Sequence, residues 1–346
     1  MIIVTKKDVT QGELDHIRER IESLGLRTHM SQGEHRTVIG CVGDDSVLEH
    51  VPLLSIPGIE AVHAVLKPYK LASKEFSAEP TEVTLGDSAI GGKGIVVIAG
   101  PCSVEPGDML ASTARHVHAA GGRALRGGAF KPRSSPYSFQ GMGEEGLKLL
   151  ADARSDTGLP VVTEVMDTRQ VDLVASYADV LQIGARNMQN FSLLTEVGRL
   201  RRPVLLKRGM SATVKDLLLA AEYVMSQGNS NVILCERGIR TFTTSTRNTF
   251  DLAAIPVLKR ETHLPVIADP SHAGGRRHLV APLSYAAIAA GADGLIVEVH
   301  PNPETATSDG DQSLDFAEFD AFMDGLHPFV AAAGRTIATR SGSEAA

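Results

Sequence analysis

Short apolar segments alternate with segments of helical periodicity from residue 95 onward, and this alternation constrains the fold more than any other feature. The expected strands are 95–99, 123–125, 160–163, 180–183, 203–206, 232–234, 265–268 and 294–297. They are apolar throughout, which is typical of parallel strands buried on both faces. About eight strand–helix units in about 240 residues predict an α/β fold, a (β/α)8 TIM barrel. A doubly wound open sheet is the structural alternative.

A smaller module precedes the barrel pattern. Residues 2–5 indicate a strand, and Thr10 with Glu13 has the spacing of a capping box at the start of a helix. The further expected elements are strands 26–30, 36–42 and 59–66 and a short helix over 46–51. The resulting order, β-α-β-β-α-β, predicts a ferredoxin-like domain.

Turn and breaker residues divide the chain into four expected parts. These are a ferredoxin-like domain over 1–66, a linker with room for a hairpin over 67–92, the barrel over 93–339 and a disordered tail over 340–346.

Composition excludes several classes of protein. The formal net charge is -7 and no lysine-rich run occurs, which argues against nucleic-acid binding. Three widely spaced cysteines form no disulfide framework and suit a reducing compartment. The N-terminus lacks the pattern of a signal peptide, and no uncharged apolar run reaches the ~20 residues of a membrane span. We therefore expect a cytoplasmic protein that binds neither membranes nor nucleic acids.

Polar, often ionisable residues follow each predicted strand, at the end where barrel enzymes place their active sites. One group is cationic: Arg126, Lys131, Arg133, Arg186, Lys207 and Arg237. Gathering so many cations in a net-acidic protein is costly without bound anions, so they predict a phosphorylated, multiply anionic substrate. For Arg208, next to Lys207, an ordinary surface salt bridge is the preferred interpretation.

A second group could bind a divalent transition metal: Cys102, His272, Glu298 and Asp309. No spacing rule supports these ligands, and each alone has an ordinary structural explanation; a barrel would bring them to one rim. Cys41 and Cys235 are interpreted as buried small apolar residues. Residues 141–146 satisfy G-x-G-x-x-G but follow a loop instead of a strand, so we reject a dinucleotide site there.

Seven segments together resemble the type I synthases of 3-deoxy-D-arabino-heptulosonate 7-phosphate (DAHP). These enzymes belong to a class that also includes the 3-deoxy-D-manno-octulosonate 8-phosphate synthases. The segments are AGPCS at 99–103, LRGGAFKPRSS at 125–135, QIGARN at 182–187, LLKRG at 205–209, CERG at 235–238, DPSH at 269–272 and EVH at 298–300. The likeness spans the barrel and, with the N-terminal module, nearly the whole chain.

The resemblance implies a role for each group of residues. The implied metal ligands are Cys102, His272, Glu298 and Asp309, for manganese, iron, cobalt or zinc. The implied phosphoenolpyruvate contacts are Arg126, Lys131, Ala185, Arg186, Lys207 and Arg237, with Glu164 beside them. The implied erythrose 4-phosphate loop is Lys131, Pro132, Arg133, Ser134 and Ser135, although many relatives have threonine at the position of Ser134. The implied catalytic residues are Lys131, Glu164, Cys102 and His272.

The implied reaction condenses phosphoenolpyruvate with erythrose 4-phosphate in the first step of the shikimate pathway to aromatic amino acids. Octulosonate synthases, which use arabinose 5-phosphate, usually carry Lys-Ala-Asn-Arg-Ser, so Pro132 before Arg133 favours the heptulosonate. In relatives, the ferredoxin-like extension binds an inhibitory tyrosine or phenylalanine, for which His29 and Ser31 are the candidate contacts. Relatives also suggest a homotetramer, and a chorismate mutase partner stays open. The alternatives are the arabinose 5-phosphate enzyme and, more distantly, a non-catalytic amino-acid sensor.

Overall fold

The structure is a computed structural model that describes residues 1–33, 36–43, 45–48, 51–63, 68–131, 135 and 137–339. The strands are β1 (Ile2–Thr5), β2 (Arg27–Gln32), β3 (Thr37–Val42), β4 (Ile59–His63), β5 (Val83–Leu85), β6 (Ser88–Ile90), β7 (Gly94–Gly100), β8 (Ala124–Arg126), β9 (Val161–Glu164), β10 (Val180–Ile183), β11 (Val204–Lys207), β12 (Val232–Glu236), β13 (Val266–Ala268), β14 (Gly294–Glu298) and β15 (Thr336–Ile337). The helices are α1 (Gln11–Glu22), α2 (Met109–Ala119), α3 (Glu144–Thr157), α4 (Val171–Tyr177), α5 (Phe191–Arg199), α6 (Val214–Met225), α7 (Ala254–Glu261), α8 (Pro270–Gly274), α9 (Arg277–Ala289) and α10 (Phe316–Ala332). The expected tail, 340–346, lies outside the described residues.

The N-terminal module has the predicted ferredoxin-like architecture. Its antiparallel sheet has the order β2-β3-β1-β4, and α1 starts at the Thr10–Glu13 capping box. A 3-10 turn, Asp45–Leu48, lies where the short helix was expected, and residues 49, 50 and 64–67 lie outside the described part. The helix covers one sheet face through Leu14, Ile17 and Ile21, so the opposite face is left to pack on the rest of the chain.

Eight parallel strands, β7 to β14, pair in chain order, and β14 pairs with β7. This last pairing closes the sheet, so the (β/α)8 barrel is confirmed and the open-sheet alternative is wrong. Glycine at position 294 permits the closure, because a Cβ there would lie 2.7 Å from the Val96 carbonyl oxygen. The barrel strands are apolar at successive positions because both of their faces are buried. One face lies in the barrel interior, and the other lies under the helices.

Four barrel strands extend one residue beyond the predicted range and end on a polar residue. Arg126 is the last residue of β8, Glu164 of β9, Lys207 of β11 and Glu298 of β14. Strand geometry therefore fixes the backbone that carries these side chains, which makes the rim more rigid than a set of loops.

Residues 69–77 form a strap between the ferredoxin-like module and the barrel. The Glu222 carboxylate of α6 accepts hydrogen bonds from the Leu71 and Ala72 amides at 2.9 and 3.0 Å. Phe76 packs against the module, where a Cβ on Gly40 would approach its ring to 2.9 Å. The strap therefore holds the module on the barrel through both hydrogen bonds and close apolar contact.

The antiparallel hairpin β5–β6 follows the strap, and Val83, Leu85 and Ile90 join the apolar cluster inside the barrel. Among the described residues, no helix combines the length and apolarity needed to cross a bilayer.

Candidate active site

A cavity of about 180 Å³ opens at the carboxyl ends of the barrel strands. Seven cationic side chains line it: Arg126, Lys131, Arg186, Lys207, Arg237, Arg240 and Arg247. The carboxylates in its lining are Glu164 and Asp309. The excess of positive charge suits a ligand that carries several negative charges.

Four of these cations are buried, although charged side chains are seldom buried without a partner. Arg126 pairs with Glu298 at 2.8 Å, and Lys207 pairs with Asp269 at 2.5 Å. Lys131 Nζ lies 2.9 Å from Cys102 Sγ and 2.8 Å from the Cys102 carbonyl oxygen. Each of these three cations is thus held in one place before any ligand arrives.

Arg237 differs from the other buried cations. Its guanidinium makes a long, 3.5 Å hydrogen bond to the Gly238 carbonyl, and burial lowers its pKa. Among the described residues, no carboxylate lies within 4.0 Å of it. A buried guanidinium without a counter-ion suits a bound anion, because the anion would supply the missing charge.

Three of the four predicted metal ligands form one compact group. Ligand atoms of Cys102, Glu298 and Asp309 lie within 4.8 Å of one another. The Cys102 thiol donates to Asp309 Oδ2 at 3.0 Å, and burial, with Glu298 adding to it, raises the pKa of this thiol to about 12. A divalent cation would favour the thiolate and would neutralise the crowded acidic groups, so this donor set fits such an ion.

His272, the fourth predicted ligand, lies next to this group. Its Nε2 is 3.5 Å from Glu298 Oε1, and its Nδ1 is 2.8 Å from Asp269 Oδ2. Burial lowers the pKa of His272 and so favours the neutral ring that binds metals. A carboxylate on the far nitrogen of a ligating histidine is a common arrangement, because it fixes the ring.

The acidic groups keep low pKa values despite burial. Burial opposes ionisation of Asp309, but the hydrogen bond from Cys102 and the charge of Arg247 outweigh it and lower the pKa. The pKa of Glu298 is also lowered, because His272 and Arg126 outweigh its burial. Both carboxylates are therefore ionised at neutral pH and can act as ligands.

Glu164 also lines the cavity, and burial raises its pKa even though Lys131 and Lys207 oppose the shift. Gln182 Nε2 donates to its Oε2 at 3.3 Å. The neighbouring backbone is close, since a Cβ on Gly184 would lie 2.1 Å from Glu164 Oε1. A carboxyl group of raised pKa beside cations is suited to hold a water molecule or a proton.

The structure describes only part of the predicted sugar-phosphate loop. Pro132, Arg133 and Ser134 lie outside the described residues. Ser135 is half-buried, and its hydroxyl accepts from the Tyr137 amide at 3.3 Å. The cavity contains Lys131, at the start of this loop.

Several residues that line the cavity were not predicted from the sequence as site residues: Gln182, Met210, Arg240, Arg247 and Asn248. Three of them lie in the segment 237–253 between β12 and α7. The length of that segment was an available signal, because loops longer than about 12–15 residues are usually functional or disordered.

The interpretation of Arg208 as a surface salt bridge is wrong. Its side chain is buried and bonds Glu236 and Asp251, each at 2.8 Å. It therefore braces the rim from outside the cavity. The rejection of a dinucleotide site is consistent with the structure, in which residues 141–143 are loop and α3 begins at Glu144. Cys41 and Cys235 are buried, as expected.

Comparison with known families assigns the class of this barrel. The sequence profile of the "DAHP synthetase I family" matches residues 75–328, and that of the "DAHP synthase ferredoxin-like domain" matches residues 1–67. The chain therefore belongs to the DAHP synthetase I family, and the resemblance seen in the sequence is confirmed. The expected enzyme class, DAHP synthase, is confirmed with it.

Individual relatives agree with this assignment. The phospho-2-dehydro-3-deoxyheptonate aldolase of Thermotoga maritima is 53% identical over 319 residues, covering 92% of this chain and 94% of the relative. A crystal structure of the Thermotoga maritima DAHP synthase superposes with a TM-score of 0.77 at 50% identity, covering 97% of this chain and 98% of that one. A 2-dehydro-3-deoxyphosphooctonate aldolase of Syntrophotalea carbinolica is 35% identical over 254 residues, covering 68% of this chain and 91% of the relative.

Proposed function

We propose that the chain condenses phosphoenolpyruvate with erythrose 4-phosphate and water to give DAHP and inorganic phosphate. The observation that carries the proposal is the meeting of seven cations in one cavity beside Cys102, Glu298 and Asp309. A phosphate ester with a carboxylate matches the cations, and the acidic group matches a divalent metal.

The buried cations bind phosphoenolpyruvate in this proposal. Arg237, which has no carboxylate partner among the described residues, takes the phosphate together with Arg186 at the cavity mouth. Lys207 and Arg126 are already fixed by Asp269 and Glu298, so they hold the carboxylate in one orientation. Fixing the first substrate lowers the entropic barrier of a two-substrate reaction.

Cys102, His272, Glu298 and Asp309 hold the divalent cation, for which manganese, iron, cobalt and zinc are all compatible with the donor set. When bound, the cation supplies Lewis-acid polarisation of an aldehyde oxygen. Arg126 pairs with Glu298, and Lys131 contacts Cys102. These two cations therefore contact both the proposed metal ligands and the proposed phosphoenolpyruvate site.

Lys131 is the proposed proton donor. Its buried ammonium lines the cavity and approaches the sulfur of Cys102, and both contacts support a position between the two proposed substrates. It donates a proton to the aldehyde oxygen as the methylene carbon of phosphoenolpyruvate forms the new carbon–carbon bond. Glu164 orients the water that adds to the neighbouring carbon, which bears the phosphate ester. Inorganic phosphate then leaves this carbon by C–O cleavage, and the ketone of the product forms there.

The acceptor aldose separates this proposal from its nearest rival, an octulosonate synthase that uses arabinose 5-phosphate. Pro132 before Arg133 and the 53% identity to a heptonate aldolase, against 35% to an octonate aldolase, support erythrose 4-phosphate. Phosphate release from phosphoenolpyruvate should be measured with each aldose in turn. We expect at least a hundredfold preference in kcat/KM for erythrose 4-phosphate; a preference for arabinose 5-phosphate would assign the rival function.

The proposal extends to the regulation of the enzyme. Tyrosine or phenylalanine binds to the ferredoxin-like module and inhibits the reaction in the barrel. That reaction is the first step of the shikimate pathway to aromatic amino acids, in the cytoplasm. A homotetramer is the expected assembly, and a chorismate mutase partner stays an open prediction. The matched ferredoxin-like profile supports this regulatory role, and the strap at residues 69–77 offers a route between the parts.

His29 and Ser31 are the proposed effector contacts. They lie two residues apart on the edge strand β2, half-buried, and the ring of His29 lies 5.5 Å from that of Phe76 in the strap. An effector at His29 would therefore touch the connection to the barrel. We expect His29→Ala to weaken inhibition about tenfold or more, whereas His63→Ala, on the opposite edge strand β4, should leave it unchanged. If the effector inhibited both variants equally, His29 would not be an effector contact. The distant alternative, a non-catalytic sensor, predicts effector binding without turnover.

A further inference from the structure

Arg247 is one of the seven cations of the cavity, but no individual step of the proposed reaction uses it. It belongs to the long segment between β12 and α7, and its side chain is 39% exposed. Its Nη1 donates to Asp309 Oδ1 at 3.1 Å and to Gln312 Oε1 at 2.8 Å. One guanidinium thus holds a predicted metal ligand and a neighbouring amide together.

Gln312 connects Arg247 to a second predicted metal ligand, Glu298. Its amide is buried at 2% exposure, and its Nε2 donates to Glu298 Oε2 at 2.6 Å. A cation on one side and a carboxylate on the other fix the direction of the amide, because a flipped amide would oppose both. Arg247, Gln312 and the two carboxylates therefore form one connected set.

The next residue, Asn248, contacts the helix that carries His272. Its Nδ2 donates to the His272 carbonyl oxygen at 2.7 Å, and its backbone amide donates to Ala273 at 3.0 Å. Position 275 must be glycine for this approach, because a Cβ there would lie 2.3 Å from the Cβ of Arg247. The dipeptide 247–248 thus touches the side chain or the backbone of two predicted ligands, and a third through Gln312.

Asp309 needs such support. It is the one non-glycine residue with a positive φ, 56°, in the described part of the chain, and such conformations persist where the surroundings hold them. The Arg247 guanidinium and the Cys102 thiol each contact its carboxylate. These contacts keep one carboxylate oxygen toward Cys102 and the other toward Arg247.

We infer that Arg247 and Gln312 are positioning residues for the metal centre: they orient Asp309 and Glu298 so that both carboxylates meet one divalent cation. The inference rests on the proposed function, since it assumes that the cation binds at Cys102. The inference predicts a change in metal affinity opposite in sign to the change that charge alone would cause. A positive charge near a cation site opposes cation binding by Coulomb repulsion, so removing Arg247 would tighten metal binding if charge alone mattered. If Arg247 orients the ligands, its removal weakens metal binding instead.

The test is a titration of Co²⁺ into the metal-depleted full chain, followed by the thiolate-to-cobalt absorption band. Variants of the outer contacts typically cost 10- to 100-fold in metal affinity. We expect the Kd for Co²⁺ to rise by roughly that factor in Gln312→Met, which changes no charge, and about tenfold in Arg247→Met. Arg247→Lys keeps the charge without the two-point contact and should also weaken binding.

Arg277→Met is the matched control. Arg277 begins α9, near the same face, but bonds Glu304 at 3.0 Å and contacts no predicted ligand among the described residues. Its Kd for Co²⁺ should stay within about twofold of the wild type. If Gln312→Met does not fold, the Kd of Arg247→Met for Co²⁺ tests the positioning role, because Arg247 is partly exposed and its substitution should be tolerated.

The outcomes separate this inference from the function on which it rests. Tighter or unchanged Co²⁺ binding by Arg247→Met, with an unchanged absorption band, overturns the positioning role and leaves the proposed reaction standing. Failure of the wild-type chain to bind Co²⁺ with thiolate coordination overturns the metal centre itself.

Discussion

The two ends of the barrel both contain buried charge, but they use it differently. At the amino end, Asp293 accepts from Lys259 at 2.7 and 2.8 Å, from Arg335 at 3.0 Å and from the Val266 amide at 2.8 Å. At the carboxyl end, cations outnumber carboxylates around an open cavity, and Arg237 has no acidic partner among the described residues. Charge that is satisfied internally stabilises the fold, whereas charge left over specifies a ligand.

The apolar surroundings reinforce this contrast. The hairpin β5–β6 contributes buried side chains to the barrel interior next to β7, so the amino end is closed by hydrophobic contact. The rim at the carboxyl end is lined mainly by polar side chains, which hold a fixed arrangement through hydrogen bonds. Substitutions should therefore alter stability at one end and chemistry at the other.

The largest expected effect is at the carboxyl end, where Lys131→Met removes the proposed proton donor. We expect kcat to fall about 10³-fold, within the range for general acid catalysis, with little loss of thermal stability. Lys259→Met makes the same substitution at the amino end and should lower the unfolding temperature while kcat per folded molecule is kept. A tenfold or smaller change in kcat for Lys131→Met would assign this lysine another role.

The next effect in size is on stability. Asp293→Asn leaves Lys259 and Arg335 without their carboxylate partner, and breaking a buried pair costs about 3 kcal/mol. Urea unfolding should show this loss, with phosphoenolpyruvate KM unchanged at temperatures where the variant is folded. A large rise in KM without loss of stability would mean that the two ends are not separable.

A smaller effect is expected for Arg237→Met. Removing a charge-assisted contact to phosphate should raise the KM for phosphoenolpyruvate roughly 10- to 100-fold, since such bonds contribute about 1.5–3 kcal/mol. The unliganded variant should be as stable as the wild type or more stable, because a buried guanidinium without a partner is lost. Marked destabilisation would show that Arg237 serves the fold instead of the ligand.

The same contrast explains how far the sequence could predict the molecule. The barrel strands were predicted to within one or two residues at nearly every end, because burial on both faces leaves a continuous apolar signal. Arg126, Glu164 and Lys207 were predicted at the rim because they follow such runs directly. The ferredoxin-like order was also predicted, from the capping box at Thr10 and the strand pattern.

Pairings between distant side chains could not be predicted. Arg208 contacts partners that lie 28 and 43 residues further along the chain, so no local pattern indicated that it is buried. Arg247 reaches Asp309 across 62 residues from a long segment whose path no periodicity describes. Such contacts depend on loop conformation and on the packing of several elements at once.

The most direct test of the account is to remove and restore the metal in three forms of the chain: wild type, Cys102→Ala and Cys235→Ala. Both cysteines are buried, but only Cys102 belongs to the compact acidic group among the described residues. We expect chelation to abolish phosphate release in the wild type and in Cys235→Ala, and added Mn²⁺ to restore it. Cys102→Ala should fold and bind no Mn²⁺, and it should stay inactive. Full turnover by metal-depleted wild type, or by Cys102→Ala, would contradict the account.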